Sequence, residues 1–246
     1  MMRKAFTLIE LLVVISVVLL LMGMLMPALA RARDESKTVL CLSNLRQLGI
    51  AAQMYANNND DYYPIAYANM KVTPSTVTIS EWDYIAVKNW STGQVTVKPG
   101  ILWQGETIEK IHQCPSFKGN SCTMYDVKYT GYNYNTSYIG RGGTERPARI
   151  TQVRRPARCA LFGDGEYSGG ANKFMRSPFT SDTDPFPFRS AGTQGYRHNK
   201  KTNVAWCDGH ASSQIEIYID TEEGETNKIA QGTGFLSPDN SAYNLQ

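Results

Sequence analysis

The segment that decides the fold is "RKAFTLIELLVVISVVLLLMGMLMPALA", which runs from Arg3 to Ala30. Two positive charges open it, a carboxylate at Glu10 interrupts it, and the residues from Leu11 to Ala30 carry no charge. As a helix, that uncharged run would span about 30 Å, which is the thickness of a bilayer core. Basic residues before the apolar run favour a cytoplasmic N-terminus, with the rest of the chain on the other side of the membrane.

A secretory signal peptide and a plain membrane anchor are two ordinary explanations of this segment, and neither accounts for Glu10. A secretory signal peptide would use Met1–Lys4 as its basic region and "ALA" at Ala28–Ala30 for cleavage after Ala30. Its apolar run would then exceed the usual length of about 7–15 residues and would contain Glu10. A plain membrane anchor leaves Glu10 unexplained, because a carboxylate within the bilayer costs at least about 2.5 kcal/mol.

The heptapeptide "KAFTLIE", from Lys4 to Glu10, closely resembles the type IV prepilin signal. The resemblance implies that a prepilin peptidase cuts between Ala5 and Phe6 and that the new Phe6 amine is methylated. Glu10 is then the fifth mature residue, as in that family. Ala5 stands where the family usually has Gly. Residues 1–5 are therefore predicted to be a leader peptide.

The resemblance also gives Glu10 a role in assembly. In a filament of identical helices, the Glu10 carboxylate can pair with the Phe6 ammonium of a neighbouring subunit. A misplaced subunit would leave both charges unpaired in hydrocarbon, so the pair would set axial register more than it would add stability. The alternative is that Glu10 only extends toward the lipid headgroups.

The helix is predicted to continue beyond the membrane. Cys41, Leu45, Leu48, Ala52 and Tyr55 follow a spacing of 4, 3, 4 and 3, which places them on one apolar face. The polar run 57–61 and the proline at position 64 then indicate the helix end. We therefore predict a helix over 6–57, with 6–30 for the membrane and assembly and 31–57 amphipathic.

Pro27 lies near the end of the apolar run, where pilin helices often bend. A proline inside a helix removes one backbone hydrogen bond and bends the axis. We predict a kink at Pro27, although an end of the membrane helix fits the position equally well.

Residues 58–246 are predicted to form a β-rich head outside the cytoplasm. The stretches "STVTIS", "QVTVKPG", "RCALFGDG" and "TNVAWCDGHASSQIEIYI" are rich in β-branched or apolar residues and predict strands. Residues 168–195 read as a long loop, functional or disordered, and 222–246 as a polar tail. The predicted fold class is α+β and pilin-like, with the long helix packed on an antiparallel sheet.

His198, nine further residues and Asp208-Gly209 form an H-x9-DG pattern. Together with "CLSNLRQLGIAAQMYANNNDDYYP" in the helix, it resembles a large group of pseudopilin-like proteins. Asp-Gly between two alternating runs predicts a two-residue hairpin turn. An extended strand would hold His198 and Asp208 apart, so we expect a structural role, with His198 hydrogen-bonded to a loop.

The acidic residues and histidines of the head offer several candidate metal ligands. Asp164 and Glu166 follow one strand, Asp208 and His210 follow another, and neighbouring strands would bring them together. Asp164 and Glu166, with Asp182 and Asp184 of the long loop, suit calcium, although EF-hand spacing is absent. Zinc held by His112, His198, His210 and a cysteine lacks motif spacing. We predict no obligatory cofactor, with calcium as the alternative.

The five cysteines leave their pairing open. Cys41, Cys114, Cys122, Cys159 and Cys207 contain no C-x-x-C pair, and export would permit disulfides. A Cys114–Cys122 bond would close a short loop, whereas a Cys41–Cys114 bond would tie the helix to the head. An odd count leaves at least one thiol free or joined to another chain.

Composition and the absence of catalytic motifs reduce the number of function classes that fit the chain. The 246 residues are 42% apolar and 19% charged, with a net charge of +3 that does not by itself indicate a polyanion partner. G-x-S-x-G, H-E-x-x-H and a Gly-rich phosphate loop are absent, so we predict no enzymatic activity. Six arginines of the segment 141–158 allow a second alternative, a DNA-binding minor pilin. These are Arg141, Arg146, Arg149, Arg154, Arg155 and Arg158.

The sequence therefore predicts a pseudopilin of a type II secretion or type IV pilus-like filament. Its expected partners are prepilin peptidase, copies of itself or other pilins, and the inner membrane. The secreted substrate or DNA that it would serve is left open. The competing class is an exported soluble enzyme or binding protein whose signal peptide is removed after Ala30.

Overall fold

A long helix, two larger and mainly antiparallel sheets and a short two-stranded pair form the described part of the chain. The computed structural model describes residues 7–68, 70–103, 113–119, 131–168 and 170–246. The helix, α1, occupies Leu8–Asn57, and the strands follow it in the chain. This is the α+β arrangement predicted from the sequence, which is thereby confirmed.

The first sheet is a four-stranded antiparallel meander. Its strands, in spatial and chain order, are β1 (Lys71–Val72), β2 (Thr76–Ser80), β3 (Tyr84–Asn89) and β4 (Val95–Pro99). The predictions of strands at "STVTIS" and "QVTVKPG" are confirmed by β2 and β4. The strand β3, "YIAVKN", was not predicted, although its β-branched and aromatic residues are typical of strands.

The second sheet carries the main core. Its strands are β5 (Asn133–Asn135), β6 (Ala160–Gly163), β7 (Phe174–Met175), β9 (Thr202–Trp206) and β10 (Ala211–Gln214). They lie in the order β10-β9-β6-β5-β7, and all neighbours are antiparallel except β5 and β7. A short pair, β8 (Gln194–Gly195) and β11 (Thr233–Gly234), lies outside this sheet. The predicted strands at "ALFG" and from Thr202 onward are confirmed, although the last strand ends at Gln214 and does not continue through "IEIYI".

The second half of α1 packs on the second sheet, chiefly on β9, β10 and β6. Cys41, Leu45, Leu48 and Ala52 are fully buried, as the 4-3-4 spacing predicted, whereas Tyr55 is half-buried. Gly49 faces β9, where a Cβ at this position would lie in ordinary van der Waals contact, 3.9 Å from the Ala205 Cβ.

The first half of α1 is apolar and exposed on all sides. An 18-residue window of the helix has a mean hydropathy of 2.9, and none of it is buried in the chain. By length and composition α1 is able to cross a membrane. Contiguous apolar surface of this extent is unfavourable in water, so it requires lipid or other apolar helices around it.

Two buried ion-pair networks hold the loops of the head. Lys173 Nζ lies 2.8 Å from Glu81 Oε2 and 3.1 Å from Asp83 Oδ2, which fixes the β2–β3 turn against the chain before β7. Asp184 pairs with Arg176 and with Arg189, whose side chain is fully buried. The predicted long loop therefore contains β7, a 3₁₀ turn at Arg189–Gly192 and β8, all organised around buried charge.

The polar C-terminal segment also contributes to the core. Phe235 and Tyr243 are fully buried against Val204 and Met175. Core residues such as these two are hard to recognise in the sequence, because each lies among polar neighbours and outside any helix or strand periodicity.

Candidate functional site

The described N-terminus begins with a helix cap in which Glu10 takes part. The Thr7 hydroxyl accepts a hydrogen bond from the Glu10 N–H at 3.3 Å, and the Thr7 N–H donates to Glu10 Oε2 at 2.8 Å. This reciprocal pair is a capping box. Ala5 and Phe6, the predicted processing residues, lie outside the described part of the chain.

Glu10 thus has a role in the isolated chain that the sequence analysis missed. The signal was available, since Thr-x-x-Glu before an apolar run is typical of a capping box. The cap satisfies the Thr7 N–H at the apolar end of α1. It does not exclude pairing with a neighbouring Phe6 ammonium, because a carboxylate has two oxygens and several lone pairs.

Pro27 lies inside α1, and the helix continues for thirty residues beyond it to Asn57. The alternative that Pro27 ends the membrane helix is therefore wrong. The kink at Pro27 stays a prediction.

A second group of functional side chains lies buried between the helix and the head. It comprises Cys41, Cys114, Asp164 and His198, whose ligand-type atoms all lie within 4.8 Å of one another. We call these four residues the Cys₂AspHis cluster. Each of them is at most 2% exposed. The cluster joins four separate segments of the chain.

Each residue of the Cys₂AspHis cluster is held in place by the element that carries it. Cys41 lies on the buried face of α1, and Asp164 directly follows the buried strand β6. His198 lies in a turn closed by two reciprocal backbone hydrogen bonds with Lys201, just before β9. Cys114 belongs to the short described segment 113–119, where the Phe117 N–H donates to its carbonyl.

Contacts within the cluster are short. The Cys41 thiol donates to Asp164 Oδ1 at 3.2 Å, and Cys114 Sγ lies 3.3 Å from His198 Nε2. His198 Nε2 also lies 3.2 Å from Asp164 Oδ2. Arg197 flanks the cluster, with its Nε 3.3 Å from Cys114 Sγ and its Nη2 3.0 Å from Asp164 Oδ1.

These contacts change the pKa values of the cluster. Burial opposes ionisation of Cys114, but hydrogen bonds with Cys41 and His198 and the Arg197 charge lower its pKa to about 5. Burial likewise opposes a charged His198, yet its hydrogen bonds to Asp164 and Cys114 raise its pKa to about 9. Against burial, the charge of Arg197 holds the pKa of Asp164 below its usual range. Burial raises the pKa of the Cys41 thiol.

The H-x9-DG pattern divides between two places in the fold. His198 contacts Cys114 and Asp164 of the cluster and the Thr38 hydroxyl of α1, rather than only a loop. Asp208 instead accepts from the backbone N–H of His210 at 3.1 Å, at the other end of β9. The strand between them, Thr202–Trp206, keeps His198 and Asp208 apart, as expected.

Asp208 and Gly209 form the centre of the turn between β9 and β10. Ala205 pairs with Ala211, and the Trp206 N–H donates to the His210 carbonyl at 2.9 Å, so the loop contains three residues, Cys207–Gly209, rather than the two predicted. Gly209 has φ of +91°, a conformation that side chains disfavour. The glycine of the pattern is therefore required by backbone geometry.

Replacement of Gly209 tests this turn. We expect Gly209→Ala to lower the free energy of unfolding by about 1–2 kcal/mol, since positive φ is costly for a residue with a Cβ. A Cβ would also lie 3.2 Å from Gln53 Nε2. Gly209→Asn is the matched control, because Asn accepts positive φ more readily but has the same Cβ. Denaturant titration in detergent should rank wild type, Asn and Ala in that order, and equal losses for Asn and Ala would attribute the effect to Gln53.

The predicted calcium ligands do not form one group. Both Asp184 oxygens receive hydrogen bonds from Arg176, Arg189 or Ser137, whereas Asp164 belongs to the Cys₂AspHis cluster and Glu166 lies 3.3 Å from Arg197. Asp182 is exposed. Among the described residues, the group with the composition and closeness of a metal site is the Cys₂AspHis cluster.

The alternative pairing of Asp164 and Glu166 with Asp208 and His210 is wrong for a simple reason. β6 and β9 are neighbours, but they run antiparallel, so residues that follow them lie at opposite ends of the sheet. His210 stacks on Trp206 and contacts Asp208, away from His198. His112 lies outside the described residues.

The cysteines fall into buried positions. Cys41, Cys114, Cys159 and Cys207 are all free thiols and all buried. Cys41 and Cys114 lie within 4.8 Å of each other in the cluster, but both are free, so the disulfide between them that the sequence offered as one alternative is not formed here. Cys122, the partner in the other predicted disulfide, lies outside the described residues.

The arginines of the predicted basic patch line three different grooves. Arg141 lines one with Phe174, and Arg146 lines another with Tyr62, over whose ring Arg149 also lies at 4.5 Å. Three more, Arg154, Arg155 and Arg158, line a groove that contains Trp206 and His210. The run of arginines in sequence is therefore distributed over the surface of the head.

Comparison with known proteins identifies the N-terminal segment. Residues 1–26 match the family model of the prokaryotic N-terminal methylation motif. No curated protein and no solved structure shows a significant match to the chain. The motif, with the long apolar helix and the β-sheet head, supports a type IV pilin-like protein that prepilin peptidase processes. Proteins of this class are typically structural subunits rather than enzymes.

Proposed function

We propose that the chain is a pseudopilin, a structural subunit that assembles with pilins into a type II secretion or type IV pilus-like filament. The observation that carries the proposal is the combination at one end of α1. A methylation motif covers residues 1–26, and the first half of α1, which begins within the motif at Leu8, is apolar and exposed on all sides. Side-by-side packing of such helices would bury this surface and stabilise a filament.

The precursor would lie in the inner membrane as a single-pass protein. Basic residues at the N-terminus favour its retention in the cytoplasm, which places the head in the periplasm. Cleavage between Ala5 and Phe6 would remove the charged leader. The head would then carry whatever specificity the filament has for a secreted substrate or for DNA.

The chemistry of the mature N-terminus tests the proposal. We expect the protein purified from membranes to begin at Phe6 and to carry one methyl group on its amine, because peptidase cleavage and methylation are coupled in this class. Mass spectrometry of the intact protein and of its N-terminal peptide measures both. Expression without prepilin peptidase is the control and should give the uncleaved precursor. A mature chain starting at Arg31 would instead identify a secreted protein with an ordinary signal peptide.

A further inference from the structure

We propose that the Cys₂AspHis cluster binds one structural zinc ion, which fastens the second half of α1 to the head. This site goes beyond the filament function and does not depend on it. It differs from the zinc set predicted from sequence, from which His198 and a cysteine take part, and from the calcium set, from which only Asp164 takes part.

The spacing of the four side chains suits a tetrahedral ion. Bond lengths of about 2.0–2.3 Å to zinc correspond to ligand–ligand separations of roughly 3.3–3.8 Å. In the cluster, Cys114 Sγ and His198 Nε2 are 3.3 Å apart, and His198 Nε2 and Asp164 Oδ2 are 3.2 Å apart. Cys41 Sγ lies 3.2 Å from Asp164 Oδ1. All four ligand atoms lie within 4.8 Å of one another, so a contraction of at most about 1 Å in any pair would accommodate an ion at the centre.

The imidazole of His198 is already oriented for a metal. The Thr38 hydroxyl donates its hydrogen to the Asp34 carbonyl at 3.1 Å, so its oxygen is left to accept. It lies 3.3 Å from His198 Nδ1. Nδ1 therefore carries a hydrogen, and Nε2, which faces Cys114 and Asp164, is the nitrogen that would give up its proton to bind an ion. Fixing a ligand histidine through its other ring nitrogen is typical of metal sites.

The Asp164 carboxylate is fixed in the same manner. The Asn203 backbone N–H donates to Oδ2 at 2.8 Å, and Arg197 Nη2 donates to Oδ1 at 3.0 Å. Two thiolates and one carboxylate carry three negative charges, which a divalent ion and the Arg197 guanidinium would neutralise together. A buried site of this composition is thus electrically balanced, as burial requires.

The ligand types and the burial select the ion and its role. Two sulfurs, one imidazole and one carboxylate suit zinc, whereas calcium prefers oxygen ligands alone. Four protein ligands, each at most 2% exposed, leave no position for water or substrate. Such closure is typical of structural zinc rather than catalytic zinc. The ion would connect α1, the segment 113–119, the end of β6 and the turn before β9.

Metal analysis of the full chain tests the site. The protein is purified in detergent without chelators, and we expect inductively coupled plasma mass spectrometry to find about one zinc per chain. Cys114→Ser should reduce the zinc content at least tenfold. The matched control is Cys207→Ser, which removes an equally buried thiol outside the cluster and should retain the zinc. Circular dichroism at low temperature shows that both variants remain folded.

Two further measurements do not depend on the loss of a ligand. Wild-type protein reconstituted with cobalt(II) should show thiolate-to-cobalt charge-transfer absorption, which requires sulfur in contact with the ion. Thr38→Val should keep all four ligands but weaken zinc binding about 10- to 100-fold in chelator competition, because His198 loses its orienting partner.

The proposal is overturned by any of three results. Wild-type protein without zinc and without the cobalt band would exclude the site, as would a Cys41–Cys114 disulfide found by non-reducing peptide mapping. Equal loss of zinc from Cys114→Ser and Cys207→Ser would show that the metal binds elsewhere or nonspecifically.

Discussion

Glu10→Gln should be cleaved and methylated normally, yet it should enter filaments at least roughly tenfold less than wild type. The substitution leaves the Phe6 ammonium of a neighbouring subunit without its counter-charge in an apolar environment. Removing one partner of a buried ion pair costs about 3–5 kcal/mol, and about 1.4 kcal/mol already corresponds to a tenfold change. Filaments sheared from the cell surface, or assembled in a reconstituted secretion system, are compared with the membrane fraction by immunoblot.

Gln is the informative substitution because it separates the two roles of Glu10, the helix cap with Thr7 and the charge that pairs with Phe6. A capping box accepts Gln as well as Glu, so Glu10→Gln retains the hydrogen bond to Thr7 and loses only the charge. Glu10→Ala loses both. Thr7→Ala loses the cap, at about 1 kcal/mol of helix stability, and retains the charge. We expect the Gln and Ala variants to fail alike and Thr7→Ala to assemble nearly normally. Assembly of Gln with failure of Ala and Thr7→Ala would show that the cap, not the charge, is the requirement.

The fold was largely predictable because its strongest signals are local. An uncharged run long enough for a bilayer and a 4-3-4 spacing determine α1, and β-branched stretches determine β2, β4, β6 and β9. The errors arose where local chemistry leaves alternatives. An Asp-Gly pair fits a turn within either a two-residue or a three-residue loop, and only the pairing between Ala205 and Ala211 distinguishes them.

The buried cluster was not predictable in the same way. Cys41 and Asp164 are 123 positions apart, and Cys114 and His198 are 84 apart. None of the four has a partner at the short spacing by which metal sites are recognised in sequence. Their meeting depends on how α1 lies across the sheet, which is a property of the whole core. His198 was singled out by its pattern, but its contacts with Thr38 and Asp164 required the structure.

The burial of charged side chains in the long loop, residues 168–195, was also not predictable from the sequence. Its Pro, Gly, Ser and Asp content predicts a surface loop, and its arginines and aspartates would ordinarily be solvated. In the fold, Arg189 is fully buried and donates to Ser177 O at 2.8 Å, Phe186 O at 3.0 Å and the Ser137 hydroxyl at 3.1 Å. A buried guanidinium of this kind replaces the apolar core that the loop lacks.

Asp184→Asn should therefore be among the most destabilising single substitutions in the head. Asp184 Oδ1 lies 2.6 Å from Arg176 Nη1, and its Oδ2 lies 3.0 Å from Arg189 Nη1 and 2.7 Å from the Ser137 hydroxyl. The variant leaves two buried guanidinium groups without a counter-charge, which costs about 3–5 kcal/mol. In a chain of this size each kcal/mol lowers Tm by roughly 2–4 °C, so a fall of about 6–20 °C is expected. Thermal circular dichroism of the full chain in detergent measures it.

The control is the same substitution two residues earlier. Asp182 is exposed, so Asp182→Asn should leave Tm nearly unchanged.

The pH dependence of the stabilisation by Asp184 follows from the same ion pairs. Burial tends to raise the pKa of Asp184, but Arg176 first and Arg189 second lower it below its ordinary value. The native state thus binds this proton more weakly than the unfolded chain, so the stabilisation is complete above the unfolded pKa of about 3.9 and disappears as the pH falls through the native value. The Tm difference between wild type and Asp184→Asn should accordingly be full at neutral pH and shrink below about pH 4. A difference that persists unchanged in acid would show that the loop depends on the shape of the side chain and not on its charge.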